Sequence, residues 1–196
     1  MSLSNNSKTN ATAKPLGRRA RRTRQAIKES FASLATGRPL EDLTVKEVMG
    51  RAGVNRATFY AHFSNIDDLE RAMEVDAAER TIERAERMRE SGERGEGELP
   101  MVLACLLDDR DACRWLLGPQ SLGAGKAVLA GHLHQHYLQR ILATEGMTSL
   151  RANCLFDYAF DGAFGVLVRC HDQGADSRET LSTLRDLLTG TLLFAW

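Results

Sequence analysis

The sequence lacks the features of a secreted, membrane-spanning or disulfide-stabilised protein. No apolar run approaches the roughly 18–20 residues that a helix needs to cross a bilayer, and the N-terminus has no hydrophobic signal segment. The four cysteines, at positions 105, 113, 154 and 170, form no CxxC pair, which favours reduced thiols over a disulfide framework. With only four prolines and 43% hydrophobic residues among 196, the chain is expected to be globular. We therefore predict a cytoplasmic protein without a membrane partner.

Motifs for catalysis and nucleotide binding are also missing. There is no glycine-rich phosphate loop after a strand, no G-x-S-x-G and no HExxH. Three histidines lie close together, but on a helix His132 and His136 share one face whereas His134 points about 160° away. They cannot converge on one metal, although the surface pair could bind zinc adventitiously. We predict no enzyme, no cofactor and no functional metal site; an enzymatic function would depend on this cluster, which lacks an acid–base constellation.

The net charge is zero, yet the charges are unevenly distributed. Residues 1–65 contain 12 Lys/Arg and 4 Asp/Glu, a net charge of +8, whereas residues 66–196 contain 14 and 22, a net charge of −8. A basic segment joined to an acidic body is expected when only one end of a protein meets phosphate.

The stretch Thr44–Phe63, TVKEVMGRAGVNRATFYAHF, predicts two short helices joined by a sharp turn. Thr44 and Glu47 have the S/T-x-x-E spacing of a capping box, which starts the first helix. Gly53 suits the turn because glycine takes positive φ without a Cβ penalty. Asn55 can cap the second helix, Asn55–Phe63.

That second helix has the composition of a recognition helix. Phe59 and Phe63 lie four residues apart, so both can face a core. The remaining faces carry small, hydrogen-bonding and cationic side chains: Arg56, Ala57, Thr58, Tyr60 and His62. Such side chains near a helix N-terminus can approach base edges and phosphates in a major groove. The stretch therefore predicts a helix-turn-helix; a helical hairpin whose aromatics merely fill a core is the alternative.

The run RAGVNRATFYAHFSNIDDL resembles the DNA-binding domain of the TetR family of bacterial regulators, over about Arg22 to Glu70. The likeness depends on the spacing of Gly53, Val54, Thr58, Tyr60, His62, Phe63 and Leu69. It implies a transcriptional regulator that binds double-stranded DNA. Family members often carry lysines just after the phenylalanine, where phosphate contacts are made, whereas this chain has Ser64 and Ile66.

Five arginines occur within the seven residues after Gly17. Alone they would suit a solubilising tail, but ahead of a helix-turn-helix we interpret them as an arm that reaches phosphates or a minor groove. Such an arm could replace the missing lysines. The predicted DNA-binding residues are Arg18, Arg19, Arg21, Arg22, Thr44, Asn55, Arg56, Ala57, Thr58, Tyr60 and His62.

We predict an all-α protein, because no stretch alternates apolar and polar residues with period two. The N-terminal domain is expected to have three helices including the helix-turn-helix, and a long helix from about Asn65 to Glu90 should lead into a helical C-terminal body. Ser64 and Asp67 form a second capping-box pattern at the start of that helix. The predicted domains are a disordered tail over 1–17, a DNA-binding domain over 18–65, and an effector-binding and dimerisation domain over 66–196.

The body is expected to form a homodimer and to bind a small-molecule effector. Small residues at 159, 162 and 163 permit close helix approach, and the TetR resemblance implies dimerisation through helices 151–172 and 177–194. Ordinary packing within one chain is the alternative. An effector pocket needs an apolar lining with few polar groups; the candidates are Trp115, His134, Tyr137, Phe160 and Phe164.

The sequence leaves open both the role of His134 and the function of the body. His134 could instead be a core histidine whose ring is satisfied by a carbonyl or a carboxylate. The leading functional prediction is a repressor whose binding to a near-palindromic operator is modulated by an unknown effector. In the alternative, the body is a protein-interaction or ligand-independent scaffold attached to the same DNA-binding domain.

Overall fold

The computed structural model describes residues 17–92, 98–142 and 147–193. Every regular element in these ranges is a helix, so the all-α prediction is confirmed. The predicted tail lies outside the described residues except for Gly17, as do residues 93–97, 143–146 and 194–196. The helices are α1 (Arg18–Ala35), α2 (Val45–Ala52), α3 (Arg56–Tyr60), α4 (Ile66–Glu90), α5 (Glu98–Leu107), α6 (Arg110–Leu117), α7 (Ala124–Leu142), α8 (Ser149–Asp172) and α9 (Ser177–Leu193).

The chain divides into two compact units after His62. In the first unit, α1 packs against α2, and a 3-10 turn at Leu40–Asp42 connects them. Ile27, Phe31 and Ala35 recur every four residues along α1 and are fully buried, as expected for the apolar stripe of an amphipathic helix. Val48 of α2 and Phe59 of α3 are also fully buried. This small core fixes the helix that precedes the turn and the helix that follows it.

The second unit contains α4 to α9. Helix α4 packs against α5, α6 and α7, while α8 packs on α7 and α9. The core includes aliphatic side chains with almost no exposed area, among them Val102, Leu106, Leu117, Leu129, Leu133, Leu167 and Leu184. Within the described ranges, no helix has the length and apolar character that a membrane crossing requires.

Side-chain caps define where several of these helices begin. Asn65 caps α4 by accepting the Asp68 N–H at 2.8 Å, and Asp109 caps α6 by accepting the N–H groups of Asp111 and Ala112. The predicted cap at Ser64 was wrong by one residue. The Ser64 N–H instead donates to the Asp68 carboxylate at 2.8 Å, because Asn65 already supplies the oxygen that the first turn needs.

Candidate nucleic-acid interface

The start of α2 is fixed by the predicted capping box. The Glu47 N–H donates to Thr44 Oγ1 at 3.3 Å, and the Thr44 N–H donates to Glu47 Oε2 at 3.0 Å. Arg38 adds an ion pair to Glu47 Oε1 at 3.0 Å. The hydrogen bond from the Thr44 hydroxyl and the contact with Arg38 lower the pKa of Glu47 to about 2. Because both orphan groups at the helix end are satisfied, α2 has a defined starting point.

The turn between α2 and α3 has the predicted backbone conformation. Gly53 lies in the left-handed region with φ of 64°, and its N–H donates to the Met49 carbonyl. The Val54 N–H donates to the same carbonyl at 3.1 Å. A left-handed residue closing a helix in this way reverses the chain sharply, and glycine adopts it without steric cost.

Helix α3 separates buried from exposed side chains. Asn55 caps it by accepting the Thr58 N–H at 2.8 Å, and Phe59 points into the core with no exposed area. Arg56, Ala57 and Tyr60 are exposed. The Arg56 guanidinium lies 5.3 Å from the centre of the Tyr60 ring, a distance at which a cation is attracted to the ring face. The exposed side of α3 thus presents a cation, a small residue and a phenol.

The helix is shorter than predicted, because it ends at Tyr60 rather than Phe63. The Ala61 N–H still donates to Ala57, but the His62 N–H donates to Phe59 three residues back at 2.9 Å. This tighter pattern is common where the last turn of a helix closes. His62 is half-buried, and its buried Nδ1 has no hydrogen-bond partner among the residues described.

The N-terminal arginines are helical rather than an extended arm. Helix α1 begins at Arg18, so Arg18, Arg19, Arg21 and Arg22 stand on its first turns, where all four are exposed. Arginine is a good helix former, which explains the extension of the helix into this segment. The segment therefore offers positive charge from a helical surface.

Comparison with known proteins identifies this N-terminal segment. Residues 27–73 match the family model described as bacterial regulatory proteins, tetR family. The N-terminal domain of this chain is therefore similar to the TetR DNA-binding domain. The match covers the buried part of α1, the helix-turn-helix and the first two turns of α4. No curated protein matches the chain.

Solved structures resemble the fold of this chain over most of its length. A TetR transcriptional regulator from Streptococcus agalactiae 2603V is similar with a TM-score of 0.59 at 18% identity, covering 87% of this chain and 96% of the other. The fatty acid degradation regulator FadR from Bacillus halodurans has a TM-score of 0.57 at 16% identity, with 90% and 97% covered. At these identities the likeness establishes the fold and leaves ligand chemistry to the chain's own residues.

In the body, four of the five predicted ligand residues lie near one another along α7 and α8. The His134 ring is 5.0 Å from Phe156, Phe156 stacks on Phe160 at 5.7 Å, and Phe160 is 6.0 Å from Phe164. Tyr137 also lies beside Phe156, at 6.3 Å. We call Phe156, Phe160 and Phe164, with His134 and Tyr137, the aromatic row. Phe156 is the member that sequence reasoning missed, although it is four residues before Phe160.

His134 has a polar partner on α8. Its Nε2 lies 2.8 Å from Oδ1 of Asn153, a side-chain carbonyl oxygen of the kind that the core-histidine interpretation named. The fifth candidate, Trp115, is buried on α6, with the Arg114 guanidinium 5.5 Å from its ring. The rings of His132 and His136 lie with their centres 4.8 Å apart and their planes tilted by 54°. Within the described ranges, no three His, Cys, Asp or Glu side chains come together as metal ligands.

The body also has a polar cleft that the sequence did not suggest. It has a volume of about 600 Å³ and lies where the start of α9 meets the end of α5. Its walls carry both signs of charge; they are formed by Asp108, Asp176, Ser177, Arg178, Leu181, Ser182 and Arg185. None of the predicted ligand residues lines it, so the cleft and the aromatic row are separate candidate sites.

Proposed function

We propose that this protein is a homodimeric transcriptional repressor of the cytoplasm, with no enzymatic activity, whose binding to a near-palindromic operator is modulated by a small-molecule effector. The exposed side of α3 is the observation that carries this proposal. Arg56, Ala57 and Tyr60 face solvent there, while Phe59 holds the helix in the core. A helix held in this way can enter a major groove with its outer side chains at the base edges.

The outer surfaces of α8 and α9 support a homodimer. Gly162 on α8 is exposed, and a Cβ built there would meet nothing within 4 Å. Tyr158 and Leu187 are 68% and 50% exposed, unusually high for large apolar groups. An exposed glycine and exposed large apolar side chains on these helices suit close packing against a second copy. The two recognition helices of such a dimer would read the two halves of a near-palindrome.

The aromatic row supports an effector site. Its rings provide apolar surface, and the His134–Asn153 pair provides polar groups beside it, the combination that small-molecule sites use. Because the body has a net negative charge, we expect an apolar or cationic effector rather than a polyanion. An effector can change operator affinity only if it binds the two states of the protein unequally.

One experiment tests the DNA-binding core of this proposal. The purified full-length chain is used to select duplexes from a random pool at moderate salt, and the enriched sequences are aligned. A near-palindromic motif is expected, with half-sites about 34–36 Å apart or further if the DNA is distorted. A pool without an enriched motif would contradict specific binding. If the motif appears but no compound changes operator affinity, the body is better described as a protein-interaction or ligand-independent scaffold.

A further inference from the structure

One of the five N-terminal arginines differs from the others in its surroundings. Arg24 is half-buried, and its Nη1 donates a hydrogen bond to the main-chain carbonyl of His62 at 2.8 Å across 38 residues. Arg18, Arg19 and Arg22 are exposed on the preceding turns of the same helix. The sequence alone did not separate them, since all five occur in one basic run.

The position of Arg24 on α1 explains this contact. It lies three residues before Ile27 and seven before Phe31, so it continues the buried stripe of α1 by one turn. A long guanidinium side chain at this point can leave the apolar stripe and reach the edge of the core. There it meets the carbonyl just after α3.

That carbonyl lies two residues beyond the end of the recognition helix, which has little internal support. Helix α3 has only five residues, and its end is held by the bonds from Ala61 to Ala57 and from His62 to Phe59. The last carbonyls of any helix lack partners within the helix. The charged donor Arg24 instead holds the carbonyl just beyond the helix end, at 2.8 Å, with a charge-assisted bond that is stronger than a neutral one.

We propose that Arg24 is a positioning residue for DNA recognition, which holds the end of α3 so that Arg56 and Tyr60 are presented in one orientation. This rests on the proposed function. The bond joins α1 to the residue that follows the recognition helix by two positions. Without it, the last turn of α3 would sample more orientations, and the bound one would have to be selected from them at a cost in affinity.

The salt dependence of operator affinity distinguishes a positioning role for Arg24 from a direct contact with phosphate. Each lost phosphate contact flattens the slope of log K against log salt by about 0.9, whereas a lost positioning bond lowers affinity equally at all salt concentrations. We expect Arg24→Ala to weaken operator binding about tenfold with an unchanged slope, the factor that corresponds to roughly 1.4 kcal/mol. The matched control is Arg22→Ala, which removes the same charge from an exposed site two residues away and should flatten the slope.

A second measurement needs no DNA. Amide hydrogen exchange of Ala61 and His62 should become faster in Arg24→Ala, while the Val48 amide in α2, bonded to Thr44, should keep its wild-type rate. If Arg24→Ala does not fold, Arg24→Gln removes the charge while keeping a helix-forming side chain, and both measurements are repeated with it.

A loss of operator affinity with an unchanged salt slope, together with faster exchange at Ala61 and His62, supports the proposal. A flatter slope for the Arg24 variant makes Arg24 a phosphate ligand and overturns it. Unchanged affinity in a folded variant shows that Arg24 only stabilises the domain, which also overturns it. If the wild-type chain binds no duplex specifically, the proposed function has failed, and unchanged exchange rates would then independently reject the positioning role.

Discussion

Glu74 of α4 is hydrogen-bonded to Gly125 at the start of α7. The Gly125 N–H donates to Glu74 Oε2 at 3.1 Å across 51 residues, and the Leu122 N–H donates to the other carboxylate oxygen. Glu74 has no exposed area. A buried carboxylate is costly unless it is hydrogen-bonded, and the Gly125 N–H, in the first turn of α7, has no partner within that helix. The Glu74 carboxylate and the two N–H groups therefore satisfy each other's hydrogen-bonding needs, and these bonds connect α4 to the beginning of α7.

Gly125→Ala should destabilise the body. A Cβ at Gly125 would lie 2.1 Å from Leu116 Cδ2 and 2.7 Å from the Glu74 main-chain oxygen, so the helices would have to move apart. Overpacking of this kind costs about 1–3 kcal/mol of unfolding free energy, which urea denaturation measures. The control is Gly131→Ala on the same helix, where nothing lies within 4 Å of the added atom. It should be neutral or stabilising by up to about 1 kcal/mol, and equal effects at both positions would contradict the packing explanation.

The carboxylate one turn before Glu74 makes stability depend on pH. Glu70 is 6% exposed, and burial, followed by the nearby charges of Glu74 and Asp67, raises its pKa from 4.5 to about 7. Because the folded protein holds this proton more tightly than the unfolded chain, the contribution of Glu70 to stability is complete below pH 4.5. It is lost as pH rises through about 7.

We expect Glu70→Gln to flatten the fall in stability between pH 5 and 7.5. One pKa unit corresponds to about 1.4 kcal/mol, so wild type should lose roughly 1–3 kcal/mol more than the variant across this window. Denaturation curves at several pH values measure the difference. Glu79→Gln, at an exposed site on the same helix, should keep the wild-type pH profile. A Glu70 variant with that same profile would show that this carboxyl does not titrate in the window.

Local sequence patterns were sufficient to predict the helix-turn-helix. They were not sufficient to predict the polar contacts of the body. The capping box at Thr44 and the left-handed Gly53 depend on neighbours within five residues, so their spacing predicts them correctly. The bond between Glu74 and Gly125 joins residues 51 positions apart, and nothing near Glu74 marks it as buried. Arg24 was hidden for a related reason, since its carbonyl partner carries no side-chain signature.

Arg56→Ala should weaken operator binding and flatten its salt dependence. The Arg56 guanidinium is exposed at the N-terminus of α3, where it can meet a phosphate or a base edge. Loss of one phosphate contact should reduce the salt slope by about 0.9, as fluorescence anisotropy across a salt series measures. The control Arg89→Ala removes the same charge from an exposed position in the last turn of α4 and should leave both affinity and slope unchanged. Wild-type binding by the Arg56 variant would exclude α3 as the recognition helix.

Gly162→Arg should convert the dimer into a folded monomer. The site is exposed in the single chain with no atom within 4 Å of a Cβ, so the variant can fold; at a helix contact between two copies, however, the arginine would be buried without a partner. Sedimentation should give the monomer mass, and operator affinity should fall about 10²-fold or more because the two half-sites are no longer bound together. Gly131→Arg places the same side chain at another open glycine, on α7, and should remain a dimer. A dimeric Gly162→Arg chain with normal operator binding would place the interface elsewhere.

Removal of the His134 side chain should abolish the response to an effector while leaving DNA binding intact. His134 joins the polar Asn153 to the apolar Phe156 ring, so its loss removes the hydrogen-bonding centre of the aromatic row. Apolar and cationic compounds are first screened by thermal shift, and operator affinity is then measured with and without a hit. In wild type the ligand should change affinity by about 5- to 150-fold, the usual range of coupling between two sites. In His134→Ala and Trp115→Ala this change should shrink, while ligand-free affinity stays the same.

The control for that experiment is His171→Ala, which removes an exposed histidine from the last turn of α8 and should respond like wild type. A second pair of variants, Arg178→Ala and Ser182→Ala, tests the polar cleft at the start of α9. If the cleft variants lose the response and the His134 and Trp115 variants keep it, the effector binds in the cleft and not at the aromatic row. Both sites border α8 or α9, the helices proposed to form the dimer. Either outcome would place the effector close to the proposed dimer interface. Binding that favours one arrangement of the two copies would then change operator affinity.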